Sequence, residues 1–317
     1  MTVRPFHAAD YAAYVAVGNA SNPEYGWTAE EMKHDDTAWD HATHFKARFV
    51  AEEDGAVVGG AQLNHDRWAF VPDKYHLEIA VHPDHRRRGH GTALYEAALA
   101  IARGRTARAL LAGTKESMEE GVRFLERRGF REVKRDWQSR LKVREFDFGR
   151  FATADERVAR EGIRIVTLAD EMARDPDAAR GAYELGLAIH ADVPSVDPPT
   201  EFSFETWRAL ILESPNALPE AYFIAVDRDG RYLGLSNMAR SIDDPSFLWQ
   251  NLTGVVREAR GKGIAMALKL WTVRYAKERG IDHIKTWNDI RNTPILAINE
   301  ALGFEKQPVW IAYQKDL

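Results

Sequence analysis

The sequence contains no cysteine. This excludes disulfides, thiolate nucleophiles and thiolate metal sites, and it suits a reducing compartment, so a cytoplasmic location is expected. No apolar run approaches the ~18 residues a membrane helix needs, and the opening MTVRPFHAADYAAYVAVGN has no apolar core of signal-peptide type. Positive charge is not in excess either. With 43 Lys and Arg against 48 Asp and Glu, the net charge of -5 gives no general pull towards nucleic acid or anionic lipid. The reading is therefore of a protein with no membrane partner, no nucleic-acid partner and no metal.

What is present is a repeat. The first half carries YHLEIAVHPDHRRRGHGTALYEAALAIARG and later VRFLERRGF; the second carries WQNLTGVVREARGKGIAMALKLWTVRYAKERG and later AINEALGF. Arg86 to Gly129 and Arg260 to Gly303 span the same 43 positions, so the blocks superpose with one offset of 174. A repeat this long means duplicated domains, in keeping with a prior of about two domains at roughly 150 residues each. The expected organisation is an N-terminal domain 1–148, a linker 149–161 and a C-terminal domain 162–317. Upstream, Val3-Arg4-Pro5 resembles Ile163-Arg164-Ile165 at an offset of 160. About 14 extra residues therefore fall before the second loop, most naturally in the polar, Pro-rich stretch 190–207.

Each half reads as mixed α and β. FVAEEDGAVVGGAQL and YFIAVDRDGRYLGLSNM each suggest two strands around a tight turn. Leu77, Ile79 and Val81 alternate as in a half-buried strand. Leu94, Ala97, Ala98 and Ile101, like Ala267, Leu268, Trp271 and Tyr275, recur at helical spacing. VWIAYQ near the C-terminus reads as a final strand.

Between strand and helix lie Arg86-Arg87-Arg88-Gly89-His90-Gly91 in one half and Arg260-Gly261-Lys262-Gly263-Ile264-Ala265 in the other. Small residues let backbone approach a ligand, and the N–H groups of a helix N-terminus then face it, with Arg and Lys adding positive charge. Such a loop wants a pyrophosphate or similar anion. A P-loop is excluded because Gly263 follows Lys262 and Val256 stands where its first Gly belongs. A dinucleotide fingerprint is excluded because Leu94 and Met266 occupy its last Gly position.

The pattern resembles R/Q-x-x-G-x-G/A, the signature of the GNAT acetyltransferase superfamily, through Arg86, Gly89 and Gly91 and again through Arg260, Gly263 and Ala265. Val81 and Pro83 upstream, and Gly129-Phe130 and Gly303-Phe304 downstream, extend the resemblance over most of both halves. Its length and layout are similar to those of the tandem mycothiol synthase branch. The resemblance implies an α/β (α+β) fold class, with two tandem GNAT folds, each a splayed, mostly antiparallel sheet flanked by helices. It implies acetyl-CoA as co-substrate and transfer of the acetyl group to the amine of a small molecule. Ile79, Ala80 and Val81, and Thr253, Gly254 and Val255, would hold the pantetheine arm. Arg87 to Thr92 and Gly261 to Met266 would cradle the pyrophosphate.

The resemblance also separates the two halves. Family members commonly carry an Asn early in the helix before Gly-Phe and a Tyr four residues before that Gly. The second half has Asn292 and, in the Tyr position, Asn299, with Asn288 nearby. The first half has Met118, Leu125 and Thr114 at these places. The second half is thus expected to catalyse and the first only to bind cofactor. Catalytic candidates are Asn299, Tyr313 as an alternative proton donor, and Glu78 on the strand where many members place a carboxylate. His190, Asp192, Asp197, Glu201 and Glu205 suggest a loop that favours a cationic acceptor. A non-catalytic acyl-CoA sensor and an aminoacyl-tRNA-dependent transferase are the competing classes; the intact loops and absent basic groove oppose the latter. A monomer acting as a pseudo-dimer, or a homodimer, is expected.

Overall fold

The computed structural model describes residues Met1–Leu317. The chain opens with β1 (Thr2–Pro5), α1 (Tyr11–Ser21) and α2 (Ala29–Thr37). Next come β2 (Lys46–Glu53), β3 (Ala56–Asn64), β4 (Lys74–Val81), α3 (His90–Gly104), β5 (Ala109–Lys115), α4 (Glu119–Glu126) and β6 (Arg131–Lys142). The second half begins with α5 (Ala154–Arg160), β7 (Arg164–Thr167), α6 (Leu168–Arg174), α7 (Ala178–His190) and α8 (Phe204–Trp207). It continues with β8 (Ala217–Val226), β9 (Tyr232–Arg240), β10 (Phe247–Val255), α9 (Ile264–Glu278), β11 (His283–Asp289), α10 (Thr293–Leu302), β12 (Glu305–Lys306) and β13 (Trp310–Asp316).

The compact units do not follow the sequence halves. The first consists of Met1–Arg135, Ser195–Phe202 and Pro308–Leu317; the second of Asp136–Pro194 and Ser203–Gln307. In the first unit the strand order is β1-β2-β3-β4-β5-β13, and β13 runs antiparallel to β5 from Trp310↔Lys115 to Asp316↔Ala109. In the second it is β6-β11-β10-β9-β8-β7, with β6 antiparallel to β11 from Asp289↔Asp136 to His283↔Lys142. Each half therefore completes its sheet with a strand from the other, which displaces the division from the expected 1–148 and 162–317. Residues 149–161 are not a bare tether. They form a turn and α5, whose Val158 is 3% exposed and packs in the core of the second unit with Phe146, Phe148 and Phe151.

The cores explain the local sequence. Strand β5 reads ALLAGTK and is buried through its first four residues, as a strand covered on both faces should be. Helix α3 turns Leu94 and Ala98 inward, and Leu94 closes on Ala51 and Ala61 of the sheet. Helix α9 buries Ala267, Leu268, Val273 and Ala276. The Gly-Phe landmarks are helix C-caps: Gly129 and Gly303 take φ of +81° and +87°. The next N–H then returns to a carbonyl five residues back, Phe130 to Leu125 at 3.2 Å and Phe304 to Asn299 at 2.9 Å. The opening strands are matched by register: Val3 faces Ala51 and Ile165 faces Ala225. Their offset is thus 162, which leaves 12 extra residues before the second loop where the sequence suggested 14.

Candidate active site

Both loops have the conformation their glycines require. Gly89 and Gly263 are the N-caps of α3 and α9, with φ of +92° and +85°. Two residues earlier, Gly261 has φ +80° and Arg87, its counterpart, φ +63°. A non-glycine residue held there costs about 1–3 kcal/mol, a strain typical of ligand-binding turns. Alternating left-handed residues aim successive N–H groups into one concavity, and the first turn of a helix adds N–H groups that it cannot satisfy itself. A Cβ at Gly89 or Gly261 would meet nothing within 4 Å. The first cradle is open at Gly89 and the second at Gly261, and the donors of both fit a pyrophosphate.

The signature arginine fastens the turn. Arg86 Nε donates to the carbonyl of Val81 at 3.2 Å, and Arg260 Nε to that of Val255 at 3.1 Å. Strands β4 and β5 are parallel partners only from Lys74↔Ala109 to His76↔Leu111, and β10 and β11 only from Phe247↔His283 to Trp249↔Lys285. Beyond those points Ile79, Ala80 and Val81, and Thr253, Gly254 and Val255, have ladder partners on one side only, β3 and β9 respectively. Their other edges are the places for an extended amide-bearing arm. Gly254 is also required by packing, because a Cβ there would collide with Ile189 of α7.

Around the end of β11 the units differ. In the second, Asn299 of α10 is 2% exposed and its Nδ2 donates to Asn288 Oδ1 at 2.7 Å, while its Oδ1 accepts nothing. Asn292 is the N-cap of α10 but caps no N–H with its side chain. In the first unit, Leu125 is buried at the Asn299 position, and Thr114 Oγ1 meets only Met118 Sδ, at 3.9 Å. The structure thus brings Asn288 and Asn299 into contact.

Three expectations change. Tyr313 lies on β13, opposite Ala112 of β5, and so belongs to the first unit, because the C-terminal strand is exchanged. It is 3% exposed, and burial raises its phenol pKa. Glu78 is exposed on β4 across from Gln62, in the unit that lacks the Asn pair. Two of the four 190–205 carboxylates are committed. Asp192 accepts from Arg257 Nε at 3.0 Å and pairs with Arg260 at 2.5 Å, which lowers its pKa to about 2. Asp197 accepts from Lys74 Nζ at 2.8 Å within the first unit. Asp192 and Asp197 are thus neutralised by cations of the protein itself, while Glu201 and Glu205 are exposed.

Sequence reading missed several residues. Arg157 of α5 places its guanidinium over the second loop: Nη2 donates to the Gly261 carbonyl at 2.9 Å, and a Cβ on Gly263 would stand 3.2 Å from its Cδ. Gln138 reaches the second unit only because β6 is exchanged; it lies opposite Trp287, is 3% exposed and leaves Oε1 unpaired. Lys269 is 1% exposed on α9 and donates to Gln250 Oε1 at 2.7 Å, while Gln250 Nε2 reaches Ser236 at 2.8 Å and Thr272 at 3.1 Å. Nothing in the first half announces this network, since Tyr95 and His76 occupy the Lys269 and Gln250 positions.

Each unit has strands that part beside an anion-binding turn running into a long helix, the arrangement of the solved GNAT folds. The model of the acetyltransferase (GNAT) family matches residues 14–130. Among curated relatives, the mycothiol acetyltransferase of Pseudarthrobacter chlorophenolicus is 28% identical over 309 residues, covering 95% of this chain and 88% of its own. That of Streptomyces griseus is 27% identical over 268 residues, covering 84% and 80%. Among solved structures, a tandem GNAT protein from the clavulanic acid biosynthesis pathway superposes with a TM-score of 0.73 at 22% identity, over 99% of this chain and 98% of that one. A GCN5-related N-acetyltransferase from Sphaerobacter thermophilus gives 0.68 at 22% identity, over 99% and 95%. No helix is long and apolar enough to cross a membrane.

Proposed function

We propose that the second unit transfers an acetyl group from acetyl-CoA to the amine of a small molecule, and that the first unit binds acyl-CoA without turning it over. The observation that carries this reading is the asymmetry of two matched sites. Both keep a left-handed anion turn, and only the second keeps the part-buried Asn288–Asn299 pair, in which Asn299 leaves its carbonyl oxygen free. The N–H groups of Gly261 to Met266 and the charge of Lys262 hold the pyrophosphate, and the free edge of Thr253 to Val255 orients the pantetheine arm and the thioester. The neutral amine attacks the thioester carbonyl, forming the C–N bond as the C–S bond breaks. The amine proton passes to water, and the thiol leaves as thiolate. Such a thiolate is accessible because an unperturbed thiol has a pKa of about 8.5, and Asn299 assists by hydrogen bonding rather than by donating a proton.

The curated relatives, named mycothiol acetyltransferases, favour an acceptor of the mycothiol type. The test is acetyl-CoA consumption measured against a panel of that acceptor, aminosugars, amino acids and polyamines. Turnover with the mycothiol-type amine and not with polyamines is expected. Acetyl-CoA binding without turnover on any amine would favour a sensing protein instead.

A further inference from the structure

The root of the first anion turn holds a cluster that the transfer chemistry does not use. Glu53 ends β2, His85 lies in the turn after β4, and His90 is the first residue of α3. His85 Nδ1 is 2.6 Å from Glu53 Oε2, and His90 Nε2 faces the same oxygen at 3.5 Å. The three ligand atoms all lie within 4.8 Å of one another. His90 is 1% exposed, and neither of its ring nitrogens makes a hydrogen bond. A buried polar group left in that state costs about 1–3 kcal/mol.

The fold does not demand the histidines. At the offset of 174 the second unit has Ala259 and Ile264 in place of His85 and His90, 3% and 2% exposed in its core. The same architecture is therefore built with apolar side chains at both positions, and the first unit carries imidazoles there at a penalty.

From this we infer that Glu53, His85 and His90 form a binding site for a divalent transition-metal ion of the zinc class, at the base of the first anion turn. A two-imidazole, one-carboxylate set suits Zn2+, and His85 and His90 fit the H-x3–5-H ligand spacing. Bonds of about 2.0–2.1 Å in a tetrahedron separate ligand atoms by roughly 3.4 Å, close to the distance between Glu53 and His90. The short Glu53–His85 hydrogen bond is exchanged for two metal bonds, His85 binding through Nδ1 as its neutral Nε2–H tautomer. Glu53 and His85 are partly exposed, at 25% and 32%, which leaves a way in. The fourth position goes to water or an anion. Arg88, now 3.2 Å from Glu53, is freed to serve the phosphate turn.

The test is titration of the metal-free full-length protein with Zn2+ alone, followed by calorimetry and by the rise in the thermal midpoint. One equivalent should bind and raise the midpoint. Glu53→Gln and His85→Gln should each weaken binding by more than about 100-fold, the upper range for losing a mere outer-shell partner. His90→Ile, which copies the second unit, should fold, be no less stable than the metal-free wild type, and show no Zn2+ response. His41→Gln, at an exposed histidine outside the cluster, should bind as wild type does. Absence of stoichiometric Zn2+ binding overturns the assignment. So does binding that survives Glu53→Gln and His90→Ile unchanged, which would trace it to other histidines.

Discussion

Replacing Lys269 with methionine should stabilise the protein at acidic and neutral pH and flatten its response to pH. The ammonium is buried on α9, 1% exposed, with Gln250 Oε1 at 2.7 Å and the Phe304 ring 4.9 Å away, and burial brings its pKa from 10.5 down to about 7. A lowered lysine pKa means that the unfolded chain holds a proton that the folded chain lacks between about pH 7 and 10.5. The penalty is therefore complete below 7 and is relieved as pH rises, at up to ~1.4 kcal/mol per pH unit. Taken over that interval, the cost of keeping the charge inside is roughly 5 kcal/mol. Methionine removes it but leaves Gln250 Oε1 without a donor, which returns about 1–3 kcal/mol. Lys269→Met should thus gain roughly 2–4 kcal/mol at pH 6, and the advantage should shrink to about zero near pH 9. Urea unfolding followed by tryptophan fluorescence at several pH values measures both effects. A variant no more stable at pH 6, or one whose pH dependence parallels that of wild type, would refute the burial argument.

Other outcomes follow from the same geometry. Asn299→Ala should lower kcat about 10- to 100-fold, a loss of some 1.4–2.8 kcal/mol in the transition state, with the acetyl-CoA KM little changed; steady-state kinetics decide. Asp192→Asn releases Arg257 and Arg260 from an anion that competes with phosphate, so the acetyl-CoA KM should fall about two- to fivefold at low salt. An unchanged or higher KM would show that the carboxylate supports the turn instead. The fragment 1–148 lacks β13 and residues 195–202 of its own unit. It should be insoluble alone and become soluble when co-expressed with 149–317, which solubility and gel filtration can establish.

The duplication, the strand-turn-helix cradles and the Asn288–Asn299 neighbourhood were legible because each rests on local sequence: a loop signature, a fixed 43-residue spacing, a Gly-Phe helix cap. The exchange of β6 and β13 was not. VWIAYQ reads as a strand in either unit, and which sheet edge it joins is decided by tertiary pairing with β5. That one uncertainty hid the pairing of Tyr313 with the first unit's β5 and concealed Gln138. Likewise, DERVAR looks like solvated linker until Val158 is seen in the core, with Arg157 above the second loop. The carboxylates at 192 and 197 looked free because their partners, Arg257, Arg260 and Lys74, are distant in sequence. The burial of Lys269 and His90 carries no sequence signal, since neither residue type marks itself as buried.

The central claim is that the second anion turn serves catalysis and the first does not. Turnover of acetyl-CoA by Gly263→Asp and by Gly89→Asp tests it directly, because each substitution puts a side chain and a negative charge into a left-handed turn position where pyrophosphate must approach. The account predicts that Gly263→Asp abolishes transfer while Gly89→Asp retains most of it and loses one acyl-CoA equivalent in binding. Loss of turnover in Gly89→Asp, with Gly263→Asp still active, would contradict it.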